Sequence, residues 1–242
     1  MSGGRQAGAG ETVVAFEGVT KRLGGRTVLD GLTFSVREGE IFAVVGPSGT
    51  GKSVTLKHIV GLLEPDEGRV TCTSQRIGYL FQSGALLAWL TVYENVALPL
   101  AETTRLTDAE IDARVTEALR AVGLEDAADL YPAEISGGMQ TRAGLARVLV
   151  RDADVILYDE PTSGLDPVTS ASISQLVRKV RDASGATSVL VTHDLAGALR
   201  LADRIMLLKD GKCVLCATPE EFSASRDSAV VEFLAASRGE GT

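Results

Sequence analysis

Eight consecutive residues, Gly46, Pro47, Ser48, Gly49, Thr50, Gly51, Lys52 and Ser53, restrict this chain more than anything else in it. They satisfy GxxxxGK[ST], follow directly on the apolar burst IFAVV at 41–45, and open a segment, 52–63, in which Val54, Ile59, Val60 and Leu63 recur at roughly helical spacing. A loop of this kind needs a buried strand before it and a helix after it, so it implies an α/β fold. Glycines 46, 49 and 51 let the backbone curl around an anion. Successive N–H groups and the helix N-terminus then aim positive dipole at phosphate oxygens. Lys52 adds a full charge, and Ser53 sets a hydroxyl where a Mg²⁺ bridging β- and γ-phosphates takes a ligand.

Further apolar bursts, VILY at 155–158, SVLVT at 188–192 and RIMLL at 204–208, are nearly continuous, as strands buried on both faces of a parallel sheet are. Residues 12–20 and 32–36 alternate instead and flank a Gly-containing turn at 24–25, which predicts an antiparallel layer. Helix signals fill the rest. Thr107 with Glu110 makes a capping box ahead of a stripe, Ile111, Val115, Ala118, Leu119 and Val122, that Gly123 stops. A helix is expected from Ser136 to about Val150; Asp166 and Pro167 start another that carries Ile173, Leu176, Val177 and Val180, and Thr218, Pro219 and Glu221 repeat that start signal. The reading divides the chain into a leader at 1–11 expected to be disordered, a core at about 12–84 and 151–217, an inserted helical lobe at about 85–150, and a C-terminal helix and tail at 218–242.

The strand 155–158 ends in Asp159 and Glu160. A parallel sheet delivers the C-terminal ends of its strands into the ligand crevice, so both carboxylates are expected beside the phosphates. There Asp159 can hold Mg²⁺ through water and Glu160 can polarise the water that attacks the γ-phosphate. Gln82 and His193 also follow strand-like runs and can reach the same crevice, Gln82 toward metal and water, His193 toward the γ-phosphate. Ser136, Gly137 and Gly138 offer a second phosphate-friendly helix start without a lysine. It reads either as an ordinary capped helix or as a cap on the nucleotide held by another copy of the chain. His58 reads as a polar surface residue.

The formal charge of −8, from 32 acidic and 24 basic residues, opposes a nucleic-acid partner, whose phosphates call for clustered Lys and Arg. No stretch approaches the roughly 18 apolar residues of a membrane span, and the Gly-rich first residues lack a secretory apolar centre. Cys213 and Cys216 form a lone CxxC that reads as a redox or zinc pair or as small half-buried strand residues; with Cys72 the odd count of three suits a reducing compartment.

The order GPSGTGKS, Gln82, ISGG at 135–138, LYDEP at 157–161, SGLD at 163–166 and His193 resembles the ATP-binding cassette ATPases over about 13–235. The resemblance implies a P-loop NTPase (RecA-like) core with a parallel sheet, an antiparallel β layer and an inserted helical lobe. It implies ATP and Mg²⁺ as cofactors, residues 46–53 as the ATP-binding loop, and Ser53, Gln82 and Asp159 as metal ligands. Glu160, His193 and Gln82 become the catalytic set; Ser136, Gly137, Gly138 and Asp166 reach the nucleotide of the opposite subunit in a homodimer. An integral-membrane permease is the expected partner, with the ATPase peripheral on the cytoplasmic face of the cell membrane. Met139, where the family usually has Gln, and LFQSGALL at 80–87 followed by TVYENVALPL at 91–100 look like the ATPases of Mla/MCE-type lipid transport systems, which implies a lipid-binding MCE-type subunit as well. The apolar run Ala85–Leu90, with Trp89, reads as permease contact or as lobe core. Rival readings are the same ATPase on an amino-acid, lipoprotein or drug permease, a non-transport cassette protein, and an ATP-binding regulator without turnover. Leu23 stands where the family often has an adenine-stacking aromatic, the short stretch between Gly68 and Gln82 implies a trimmed β hairpin, and no long C-terminal extension is expected after Phe233.

Overall fold

A computed structural model describes residues 10–239, so most of the leader read at 1–11 and the last residues of the tail lie outside the described residues. The chain opens with β1 (Thr12–Leu23) and β2 (Arg26–Arg37), followed by β3 (Ile41–Val45), α1 (Lys52–Ile59), β4 (Glu67–Cys72) and β5 (Ile77–Leu80). Next come α2 (Val92–Thr103), α3 (Asp108–Val122) and α4 (Gly137–Leu149). The chain then alternates through β6 (Val155–Asp159), α5 (Pro167–Ser184), β7 (Thr187–Thr192), α6 (Leu195–Leu201), β8 (Arg204–Lys209) and β9 (Lys212–Ala217), and closes with α7 (Pro219–Ser223) and α8 (Ser228–Gly239). Among the described residues no helix is long and apolar enough to cross a membrane.

The central sheet has the order β5-β6-β7-β3-β8-β9, parallel except for β9. Each apolar burst serves two cores by simple alternation. Ile41, Ala43 and Val45 face the helices with Ile156, Tyr158, Leu190, Ile205 and Leu207. Phe42 and Val44 face the other side with Val155, Leu157, Val189, Val191, Met206 and Leu208. Full burial of side chains of this size stabilises by about 1.5–3 kcal/mol each relative to exposure. This is why these runs are continuous in the sequence.

The second face is covered by α1 and by the antiparallel layer β2-β1-β4. Phe16 stacks on Phe34 at 4.5 Å and Phe34 on Phe42 at 5.4 Å, a ladder of rings that ties that layer to the central strand. The helical segment α2 to α4 falls between β5 and β6, so it is inserted between neighbouring strands of one sheet. Capping boxes start α2 (Thr91, Glu94) and α3 (Thr107, Glu110), and Asp166 caps α5 with Pro167 in its first turn.

Three expectations are corrected. The helix expected over 52–63 ends at Ile59, because the chain turns at Val60 and Gly61 takes φ 74°. No hairpin joins the strands between Gly68 and Gln82: β4 pairs with β1 and β5 with β6, so they belong to different sheets. His58 is buried at 4% exposure. Its Nδ1 lies 2.8 Å from the Val54 carbonyl, and Phe16 packs edge-on to its ring; burial holds its pKa below the ordinary value. Cys213 and Cys216 are half-buried on β9, where the Arg204 guanidinium donates to the Cys216 sulfur at 3.1 Å. Among the described residues no group of three or more His, Cys, Asp or Glu side chains is arranged to hold a metal.

Candidate active site

The loop after β3 owes its shape to close approach. A Cβ at Gly46 would stand 2.2 Å from the Leu208 carbonyl oxygen, and Gly51 holds φ 100° at the start of α1. Thr50 Oγ1 donates to the Pro47 carbonyl at 2.9 Å and closes the loop. Side chains cap α2 to α6, supplied by Thr91, Thr107, Ser136, Asp166 and Asp194, whereas α1 has no side-chain cap. The first N–H groups of α1 are thus left for an external acceptor, and an anion meets that need. Lys52, 6% exposed, folds over the loop and donates to the carbonyls of Gly46 at 2.9 Å and Pro47 at 3.1 Å.

The strand ends converge on this loop. At the end of β6, Asp159 Oδ1 accepts from the Ser53 hydroxyl at 2.7 Å and its Oδ2 accepts from the Tyr79 phenol at 2.8 Å. Glu160 follows at φ 49°, a left-handed conformation unusual for a side chain of its size, pinned by its N–H donating to the Val191 carbonyl at 3.0 Å. That turn brings Glu160 Oε1 to 3.5 Å from Lys52 Nζ. Glu160 Oε2 accepts from the His193 backbone N–H at 3.2 Å and lies 2.7 Å from His193 Nδ1. A carboxylate can only accept, so Nδ1 is the donor in this contact. Gln82 reaches the same place from the end of β5, its Nε2 donating to Ser163 Oγ at 3.2 Å.

Ser48, Gly49, Gly51, Lys52, Ser53, Gln82, Glu160 and His193 line one cleft of about 380 Å³ at the C-terminal edge of the sheet. A larger cavity, about 680 Å³, opens at the opposite edge near Asp152, Asp154 and Thr187. There Asp154 is already tied to Arg76 and Ser74, and ligands of open α/β sheets sit at the other edge. Ser136, Gly137, Gly138 and Asp166 are not brought to the cleft. They share a separate patch: a Cβ at Gly138 would meet the Thr169 methyl at 2.4 Å, and Thr169 Oγ1 donates to Asp166 at 2.5 Å. Tyr79, Ser163 and Val28 enter the site or its support without having been singled out as site residues.

The donors near Ser53 are a hydroxyl and a carboxylate, hard oxygen ligands that suit Mg²⁺ rather than a soft metal. One carboxylate hydrogen-bonded to Ser53 also fits, because Mg²⁺ beside phosphates keeps waters and takes phosphate oxygens for the rest of its shell.

A buried parallel sheet that gathers a GxxxxGKS loop, an Asp-Glu pair and a histidine at its strand ends, with helices inserted between two of its strands, defines a P-loop nucleoside triphosphatase of the cassette type. The chain belongs to the ABC transporter family as an ATP-hydrolysing subunit, and the family model described as ABC transporter matches residues 29–163. The chain is 38% identical over 239 residues to the intermembrane phospholipid transport system ATP-binding protein MlaF of Haemophilus influenzae, covering 93% of this chain and 90% of that protein. It is 39% identical over 236 residues to the probable ribonucleotide transport ATP-binding protein mkl of Mycobacterium leprae, covering 91% and 68%. Among solved structures, cbiO1 from Clostridium perfringens, part of the transporter complex cbiONQ, superposes with TM-score 0.82 at 28% identity, covering 89% of this chain and 92% of that one. The dimeric ATP-binding cassette MJ0796 in a post-hydrolysis state with ADP and Pi superposes with TM-score 0.77 at 35% identity, covering 85% and 98%.

Proposed function

We propose that two copies of this chain close around two Mg²⁺-ATP molecules and drive a lipid-transporting permease from the cytoplasmic face of the membrane. Residues 46–53 cradle the phosphates, with Lys52 as the charge. Ser53, Gln82 and Asp159 hold Mg²⁺, which when bound neutralises charge on the β- and γ-phosphates. Glu160 polarises the attacking water and accepts its proton, and His193 orients Glu160 and hydrogen-bonds the γ-phosphate. Ser136, Gly137, Gly138 and Asp166 belong to the opposite copy's nucleotide. The observation that carries this reading is the split of the motif residues: Lys52, Glu160 and His193 meet within 3.5 Å, while the second phosphate-friendly helix start lies on a different patch of the same subunit. A helix start of that kind finds its anion on a second copy, as a two-fold head-to-tail pair allows.

Closure is the output. ATP favours the closed pair, and that differential affinity biases the conformation of an attached permease. The lobe at about 85–150 and the core at about 12–84 and 151–217 are the parts that hinge, and Trp89, 72% exposed next to the turn Gln82–Ala85, is the permease contact. The phospholipid transport role of the Haemophilus influenzae relative, with the SGGM and FQSGAL stretches, supports phospholipid as cargo and a lipid-binding MCE-type subunit as a further partner. The mycobacterial relative's name supports ribonucleotide transport as a second reading. Purifying the intact membrane complex and identifying its bound small molecules by mass spectrometry decides between them. Glycerophospholipid is expected, and ribonucleotide other than the ATPase's own ATP and ADP would overturn the lipid assignment.

A further inference from the structure

Tyr79 sits on β5 opposite Leu157 of β6, so it lies two residues before Asp159 in the parallel register and on the same face of the sheet. With strands about 4.8 Å apart and a rise of about 3.3 Å per residue, this diagonal is about 8 Å at the backbone, a span that a tyrosine bridges and shorter side chains do not. Its phenol meets the far oxygen of the carboxylate, Oδ2, at 2.8 Å, while Oδ1 takes the hydroxyl of Ser53 at 2.7 Å. Among the described residues these are the hydrogen bonds to the Asp159 side chain, one from each side. The ring is fixed in turn by stacking on Phe81, centroids 4.2 Å apart, and Phe81 directly precedes Gln82.

We infer that Tyr79 is a positioning residue for the metal: its hydroxyl fixes the rotation of the Asp159 carboxylate so that Oδ1 stays turned toward Ser53. The inference rests on the proposed role of Asp159 and Ser53 as Mg²⁺-holding groups. A carboxylate terminating a strand turns freely about its last side-chain torsion, which is broad rather than staggered. One bond from Ser53 alone leaves the group free to swing whenever that hydroxyl engages the metal. A second bond to Oδ2 removes that freedom, as hydrogen bonds to the outer atoms of metal ligands commonly do.

The test is Tyr79→Phe, which keeps the ring and its stacking and removes only the donor. Mg²⁺ is titrated into the full-length protein with a fluorescent ATP analogue, and nucleotide affinity is measured separately in EDTA. The expected result is a rise of about tenfold in the Mg²⁺ concentration that half-saturates the metal-dependent signal, with EDTA affinity unchanged. Asp159→Asn, run alongside, should lose most of the metal-dependent signal. If Asp159→Asn responds to Mg²⁺ as the unaltered protein does, the metal role of Asp159 fails, and this inference with it. If Asp159→Asn loses the response while Tyr79→Phe keeps the normal half-saturation, Tyr79 is packing only and the inference alone is overturned. A Tyr79→Phe protein that loses affinity equally in EDTA also overturns it, because the hydroxyl then supports the loop and not the metal.

Discussion

His193 and Glu160 meet twice: one oxygen of the carboxylate, Oε2, takes the histidine's backbone N–H at 3.2 Å and lies 2.7 Å from its Nδ1. The other oxygen faces Lys52 at 3.5 Å. Glu160 is thereby oriented from two sides, the arrangement required of a group that must present an acceptor to water in one direction. Exchanging it for glutamine keeps the size and removes the acceptor charge. Phosphate release from Glu160→Gln should fall by about 10²- to 10⁴-fold while nucleotide binding persists, and undiminished release would remove Glu160 from the reaction.

The loop that faces this pair has little room for change. Gly46→Ala would place a methyl 2.2 Å from the Leu208 carbonyl oxygen, and because that contact is with backbone, the loop or β8 must shift. Urea unfolding should show a loss of about 1–3 kcal/mol, accompanied by weaker nucleotide binding. Unchanged values for both would mean that the loop tolerates a different path from the one described.

The segment after Gln82 is held from the helical lobe. Ser83, Gly84 and Ala85 have φ of 57°, 73° and 46°, and Arg147 of α4 donates to the carbonyls of Gly84 at 2.7 Å and Ala85 at 2.9 Å. Because Ser136 caps α4, this arginine joins the segment after Gln82 to the helix whose N-terminus is proposed to reach the opposite copy's nucleotide. Arg147→Ala should cost about 2 kcal/mol in chemical denaturation. Arg147→Lys should recover only part of it, since a point charge does not span two carbonyls as a guanidinium does.

Much of this was legible in the sequence, for a physical reason. Strands buried on both faces are apolar at nearly every position, so β3, β6, β7 and β8 announce themselves as runs, and their shared direction puts Asp159, Glu160 and His193 at one edge. Caps likewise marked α3 and α5. What escaped depends on contacts distant in the chain. Tyr79 means nothing until the register of β5 on β6 is known, and the burial of His58 follows from Phe16 and the antiparallel layer packing over α1. Within the helical lobe α2 lacked a clear pattern because Pro99 falls inside it, although Thr91 and Glu94 form its capping box. The assumed hairpin at 68–82 failed because adjacent strands in sequence entered different sheets.

The CxxC pair yields a prediction of inertness. Burial pushes the Cys213 thiol up to about 11, and burial also raises Cys216 and Cys72 above the ordinary thiol value. A raised thiol pKa keeps the unreactive protonated form dominant until the pH approaches it, so the thiolate of Cys213 stays scarce through neutral pH. Thiol titration of the folded protein at pH 8 should be slow at all three cysteines, with rapid reaction of all three after unfolding. Fast reaction of the Cys213 and Cys216 pair in the folded state would restore the redox reading.

The central claim is that a second copy completes the site, and the Glu160→Gln protein tests it most directly because it should trap the closed state. Static light scattering with saturating Mg²⁺ and ATP should report twice the monomer mass, returning to monomer when the nucleotide is removed. A Glu160→Gln protein that binds Mg²⁺-ATP yet keeps the monomer mass would contradict the account.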